Sequence, residues 1–388
     1  MQSKKLVFFL SFYCLIGGAF SQTHDSIEIK KSLKIHLPPW IHNMVYDTAS
    51  STKPRFLIYP TVAYSPETLW EFGISSLIVF HHNNDTTLRL SEISMFGFYT
   101  QKKQLGLWID HAIYGRNNKF MSLGKIRFQN YPLSYYGVGS NISDKPLAVV
   151  NANYYNARER FIYRIRNNLF AGLELDYQQI NKIDFQWNAG LGSSTPDALL
   201  PKGANGSQNL GIGLGVLIDS RHNILNVRDG YLFEVAYIQY GNLFAQSFPM
   251  NTLFFDGRYF LPTIKNQILA FQLVGQFSNG NVPFNQLSLM GGESIMRGYY
   301  LGRYRDKNYL ATQVEYRFLP FSFSKRLGGA LFGSLGSVSD KFPTQNYKWS
   351  AGAGLRYLIF PKKDVFTRID LGVNPQGYGI YFYIGESF

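Results

Sequence analysis

The sequence predicts an all-β protein, a transmembrane antiparallel β-barrel of about sixteen strands with a long inward-folded loop between strands eleven and twelve. Three observations carry this reading. The 388 residues include 27 Tyr, 32 Phe and 36 Gly but only 16% charged residues. No apolar run of about 18 residues, the length a membrane helix needs, occurs beyond the N-terminus. From residue 55 onward the chain instead repeats one rhythm, roughly ten residues of alternating character and then a turn, as a lipid-exposed barrel strand requires. A mean hydropathy of −0.13 fits such a barrel, because lipid-facing and lumen-facing positions average out.

Residues 1–21 read as a secretory signal peptide: Lys4 and Lys5 form the charged start, an apolar stretch follows, and Ala19-Phe20-Ser21 supplies a small-x-small cleavage site. Cys14, the sole cysteine, lies inside it, so disulfides and thiolate chemistry are not expected in the mature chain. Residues 22–54, with Pro38-Pro39-Trp40 and the basic Lys30, Lys31 and Lys34, read as a short periplasmic segment. Residues 55–388 are assigned to the barrel. Its expected strands are 56–64, 70–81, 87–99, 105–114, 119–131, 155–166, 169–179, 206–219, 231–242, 250–261 and 267–276. After the long loop come 309–319, 327–338, 348–360, 365–373 and 378–388.

The connections alternate in length. Those around residues 83–85, 116–118, 167–168, 263–265 and 361–363 are short, whereas 132–154, 180–205 and 277–308 are long. Short turns at one end and long loops at the other are the periplasmic and extracellular faces of an outer-membrane barrel. Alternation is clearest late in the chain. Ala311, Gln313, Glu315 and Arg317 share one face, and Leu310, Thr312, Val314, Tyr316 and Phe318 the other. Phe366, Arg368, Asp370 and Gly372 likewise oppose Val365, Thr367, Ile369 and Leu371.

The connection 277–308 holds the densest motif, Gly291-Gly292-Glu293-Ser294-Ile295-Met296-Arg297-Gly298-Tyr299-Tyr300. A structureless loop of this length is uncommon and usually functional. Glycines on both sides of one arginine suit a tightly folded backbone that delivers five donors to a fixed acceptor on the inner wall.

The net charge of +13 is scattered among aromatics with no polybasic block, so it fits a polar lumen and anionic lipid headgroups and points to no nucleic-acid partner. Enzyme signatures are lacking. The histidines are His24, His36, His42, His81, His82, His111 and His222, and no G-x-S-x-G elbow accompanies them. His222 beside Asp219 and Ser220 cannot converge on them as a triad, since neighbouring strand residues alternate faces. No third metal ligand stands at useful spacing from His81-His82, and no phosphate-cradling glycine pattern opens a helix. Neither cofactor nor metal is expected.

Residues 206–388 resemble the C-terminal barrel of the BamA/TamA outer-membrane protein superfamily, the bacterial surface antigen barrel. Met296-Arg297-Gly298-Tyr299 is similar to its Val-Arg-Gly-Tyr loop, and Gln313-Val314-Glu315-Tyr316-Arg317 to the strand after it. Gly352-Ala353-Gly354-Leu355-Arg356-Tyr357, Arg368-Ile369-Asp370, and Asp219-Ser220-Arg221-His222-Asn223 with Gly230 downstream resemble further motifs in the right order. The resemblance implies that the loop motif Gly291, Gly292, Arg297, Gly298 and Tyr299 enters the lumen. It also implies that Arg297 is held there by Glu315, Ser334 and Asp370. Ser334 departs from the family's aspartate in F-x-D-x-G, which shifts the main partner role to Glu315. The C-terminal Tyr383, Ile384, Gly385 and Phe388 resemble the signal read by the barrel-assembly machinery. The 33 residues 22–54 are too few for a POTRA domain, so a barrel without one is expected. The function implied is assisting insertion or translocation of client proteins at the outer membrane of a Gram-negative bacterium; the alternative is a passive pore or scaffold barrel.

Overall fold

The computed structural model describes residues 54–66, 68–84, 91–130, 132–188, 200–221, 226–342, 346–361 and 364–388. The signal peptide expected at 1–21 and nearly all of the segment expected at 22–54 lie outside them. Among the described residues sixteen long strands form one antiparallel ring, joined on one side by the short strand Leu133–Tyr135. They are β1 (Arg55–Ser65), β2 (Leu69–Phe80), β3 (Ser91–Thr100), β4 (Leu105–Tyr114), β5 (Phe120–Asn130), β6 (Ala148–Arg166), β7 (Leu169–Trp187) and β8 (Ser207–Asp219). Then follow β9 (Gly230–Tyr240), β10 (Met250–Pro262), β11 (Gln267–Gly280), β12 (Asn308–Phe318), β13 (Leu327–Ser339), β14 (Lys348–Phe360), β15 (Val365–Asn374) and β16 (Gly377–Ile384). Pairing matters physically: in hydrocarbon every backbone donor and acceptor must find a partner in the protein, and the ring supplies one along its strands except at the β1–β16 closure.

The two faces follow the sequence alternation. Leu105 and Leu107, Ile212 and Leu214, Leu253, Leu331, Leu355 and Ile380 are exposed on the outer wall. The alternate positions turn inward and are largely polar. Glu174 and Asp176 on β7, Asp256 on β10, Glu315 and Arg317 on β12 and Asp370 on β15 are all buried.

Strands β6 and β7 run to 19 residues each and reach well into segments the sequence reading assigned to loops. The reason is a bulge. Asn151 faces Asp184 and Asn153 faces Asn181, so β7 carries one residue more than β6 across this step. Lys182 takes up the extra residue with φ of 51°. Beyond it the inward set shifts from Gln178 and Ile180 to Ile183, Phe185 and Trp187, which pack with Ala148, Val150, Val282 and Phe284. A period-2 pattern that changes phase midway no longer reads as one strand.

Candidate functional site: an ionic cluster beside the barrel seam

The segment between β11 and β12 makes a small antiparallel hairpin of its own, Ser288–Met290 against Tyr304–Asp306. Between its arms the amide of Gly292 donates to the Tyr299 carbonyl at 3.0 Å, drawing the two limbs together. Gly291, Gly292 and Gly298 all adopt positive φ, 112°, 100° and 109°. Gly298 lies against Gly372 of β15, and a Cβ on Gly372 would fall 2.5 Å from the Arg297 carbonyl. Two glycines thus set the closeness with which the loop meets the wall.

Arg297 is fully buried at this contact. Its Nη1 donates to Asp370 Oδ2 at 2.7 Å and its Nη2 to Glu315 Oε2. The guanidinium also lies over the Phe332 ring, 3.5 Å from the centroid. The same two carboxylates serve further arginines. Arg317 Nε donates to Glu315 Oε1 at 2.8 Å, and Arg368 Nη1 to Asp370 Oδ2 at 2.5 Å. Arg356 bridges both carboxylates, donating through Nη2 to Glu315 at 3.2 Å and through Nη1 to Asp370. Its Nε reaches Glu386 Oε2 at 3.0 Å. Four guanidiniums and three carboxylates therefore form one network. Each ion is costly to bury alone and tolerable only because the others surround it.

The chain end joins this network. After Ile384 the backbone turns at Gly385, φ 94°, whose amide donates to the Phe366 carbonyl at 2.7 Å. Ser387 Oγ then donates to Glu315 Oε2 at 3.1 Å, and Arg317 Nη2 donates to the Phe388 carbonyl at 3.1 Å. The Phe388 ring is buried beside Phe260 and beneath Arg317. Of the terminal group singled out by sequence, Ile384 is exposed, Tyr383 carries the Arg368 guanidinium 5.3 Å from its ring centroid, and Phe388 is enclosed.

Ser334 does not take the partner role expected for it. It faces inward, yet its hydroxyl has no hydrogen-bond partner among the described residues. A serine side chain ends too close to the wall, and the Phe332 ring two positions earlier fills the space beside Arg297. Sequence reasoning also left Arg356, Arg368, Glu386, Phe332 and Tyr381 without roles. Strand phase could have found the two arginines, since Arg356 and Arg368 sit directly opposite each other on neighbouring strands. Glu386 depends on the chain end turning inward, which no local pattern announces.

Tyr381 ties the loop to the last strand. The Gly298 amide donates to its hydroxyl oxygen at 3.0 Å, and that hydroxyl donates to the Tyr299 carbonyl at 3.4 Å. Tyr299 in turn donates to the Trp349 carbonyl at 3.2 Å. This matters because β16 is one side of the seam. β1 faces β2 over eleven residue pairs and β16 faces β15 over eight. Between β1 and β16 the register holds a single pair, Tyr64 opposite Phe382. Pro60, which has no amide hydrogen to give a neighbour, stands in the middle of β1. Gly377 takes φ of 151° in the β15–β16 turn, Gly379 pairs regularly with Gly372, and the inward turn falls at Gly385.

Comparison with solved structures places this ring among barrels of one kind. BamA from Haemophilus ducreyi lacking POTRA domains 1-3 superposes with a TM-score of 0.58 at 12% identity, over 86% of this chain and 70% of that one. CdiB from Acinetobacter baumannii gives 0.55 at 13% identity, over 85% of this chain and 59% of that one. CdiB from Escherichia coli gives 0.55 at 12%, over 84% and 62%. The chain thus spans about six tenths of the CdiB chains. No curated protein matches it. Residues 114–388 match the Omp85 superfamily domain, from the end of β4 through the whole ionic cluster to Phe388. The chain belongs to the Omp85 superfamily and is an outer-membrane β-barrel.

Proposed function

We propose that this barrel assists the insertion or translocation of polypeptides at the outer membrane, working through its seam. The observation that supports this is the single residue pair joining β1 to β16. An unpaired strand edge presents free amides and carbonyls, and an incoming strand can add to them by β-augmentation. The loop and the ionic cluster act as a latch. Arg297 holds the loop to Glu315 and Asp370, the loop holds Tyr381, and Tyr381 belongs to β16. Clients are outer-membrane or secreted proteins with strand-forming segments. The barrel sits in the outer membrane of a Gram-negative bacterium after removal of residues 1–21, its own insertion depends on the barrel-assembly machinery, and Tyr383, Ile384, Gly385 and Phe388 are the signal that machinery reads.

A disulfide across the seam tests the reading. In a Cys14→Ser background, Tyr64→Cys with Phe382→Cys puts two thiols on directly opposed residues, a separation that a disulfide spans. Oxidation is expected to leave the barrel folded while removing its support of envelope integrity, and reductant is expected to restore it. Unchanged integrity under oxidation would instead favour a passive pore or scaffold barrel.

A further inference from the structure

We propose that the outer wall carries a polar lipid site, formed by His111, Ser122 and Glu159 around Gly124, that takes the primary ammonium of an amine-bearing phospholipid. These residues belong to three adjacent strands, β4, β5 and β6. Each shares its parity with exposed apolar neighbours: Leu105 and Leu107 with His111, Phe120 and Ile126 with Ser122, Phe161 and Tyr163 with Glu159. Strand alternation therefore turns all three toward the bilayer, away from the lumen network. Ionisable groups on a lipid-facing wall are costly and mark function by default.

The cluster is built, not incidental. Gly124 lies between His111 and Glu159 in the register of the three strands. A Cβ there would fall 2.2 Å from His111 Cε1 and 2.3 Å from Glu159 Oε2, so the missing side chain is what lets the two meet. His111 Nε2 stands 3.2 Å from Glu159 Oε1 and 3.2 Å from Oε2. Ser122 Oγ donates to Glu159 Oε1 at 2.6 Å. This is not a hydrolytic triad. A triad uses both ring nitrogens, the acid on Nδ1 and the serine on Nε2. Here one nitrogen faces both partners, Ser122 Oγ lying 3.2 Å from it, and the serine gives its proton straight to the carboxylate. The Ser122 hydroxyl and the His111 ring converge on the Glu159 carboxylate, which keeps 26% of its side-chain surface open. The group that completes it is a cation. The cluster lies close to the short turn 115–119, hence near the inner-leaflet headgroups, and the exposed Ile126 and Leu107 follow on the side away from that turn to receive acyl chains. Those apolar flanks favour a lipid over a cationic side chain of another protein.

Native mass spectrometry of the full chain, released from nanodiscs of equal phosphatidylethanolamine and phosphatidylglycerol, reads the preference. Phosphatidylethanolamine is expected to remain bound to the wild type. Its enrichment should fall about tenfold in Glu159→Gln, as the loss of one charge-assisted contact implies. Gly124→Val, which wedges His111 from Glu159, should abolish the preference while heat-modifiable gel mobility stays intact. Equal retention of the two lipids by the wild type, or an unchanged preference in Glu159→Gln, overturns the proposal. Ser122-dependent release of fatty acid, or a polypeptide retained in place of lipid, overturns it as well.

Discussion

Arg297 and Arg305 lie in the same loop and meet burial in different ways. Arg297 has two carboxylates and a ring face. Arg305 is buried too, but its guanidinium donates to the Gly302 carbonyl at 3.2 and 3.0 Å and lies over Tyr135, with no carboxylate partner among the described residues. Burial accordingly pulls the Arg305 guanidinium down to about 10. A base whose affinity for protons falls on folding opposes the fold while charged. That penalty persists through neutral pH and is relieved only as pH rises past about 10. Removing Arg297 takes a buried donor from both Glu315 and Asp370, so Arg297→Ala should cost about 3–5 kcal/mol. Arg305→Met loses bonds to one carbonyl but also removes an uncompensated charge, so its cost should be about 1 kcal/mol. Urea unfolding in detergent, followed by tryptophan fluorescence, measures both. Equal costs would mean that the carboxylate network does not distinguish these arginines.

At the scale of elements, the loop and β15 approach each other through Gly298 and Gly372. The atoms nearest a Cβ on Gly372 are backbone, the Arg297 carbonyl and the Gly298 nitrogen, so no rotamer change can make room. Gly372→Ala should push the loop off the wall, destabilising by about 1–3 kcal/mol and opening the Arg297 and Arg303 peptide bonds to trypsin. Gly333→Ala is the control, because a Cβ there meets nothing within 4 Å. Loop digestion at the same rate in both variants would remove the close approach as an explanation. These contacts also show what could be read from sequence. β12 and β15 are legible because their alternation is uninterrupted, and it groups Glu315 with Arg317 and Arg368 with Asp370 on shared faces. The upper halves of β6 and β7 were not, because the Lys182 bulge changes phase and Asn151, Asn153 and Asp184 read as loop residues. The chain end escaped for a third reason: its inward turn is stabilised by Glu315, Arg317 and Arg356, residues far away in sequence.

The whole barrel is uneven around its circumference. On one side β6 and β7 pair along nearly all of their 19 residues, and β7 continues into β8 over twelve pairs from Leu169 to Ile180. On the other, β1 and β16 share one pair. Regions with few shared hydrogen bonds open locally at low free energy, whereas long ladders open only with the whole fold. Amide exchange in nanodiscs should therefore find β1 and β16 least protected and β7 and β8 most protected. Membership of the network adds a second, separable expectation. The Gly298 amide and the Tyr299 carbonyl hold Tyr381 from inside, so losing Arg297 should release β16 but leave β1 and the β7–β8 wall as they were. Faster exchange confined to β16 in Arg297→Ala would support a latch acting on the seam. Uniform acceleration around the ring would reduce Arg297 to a general stabiliser, and protection of β1 and β16 equal to that of β7 and β8 in the wild type would leave an incoming strand no edge to join.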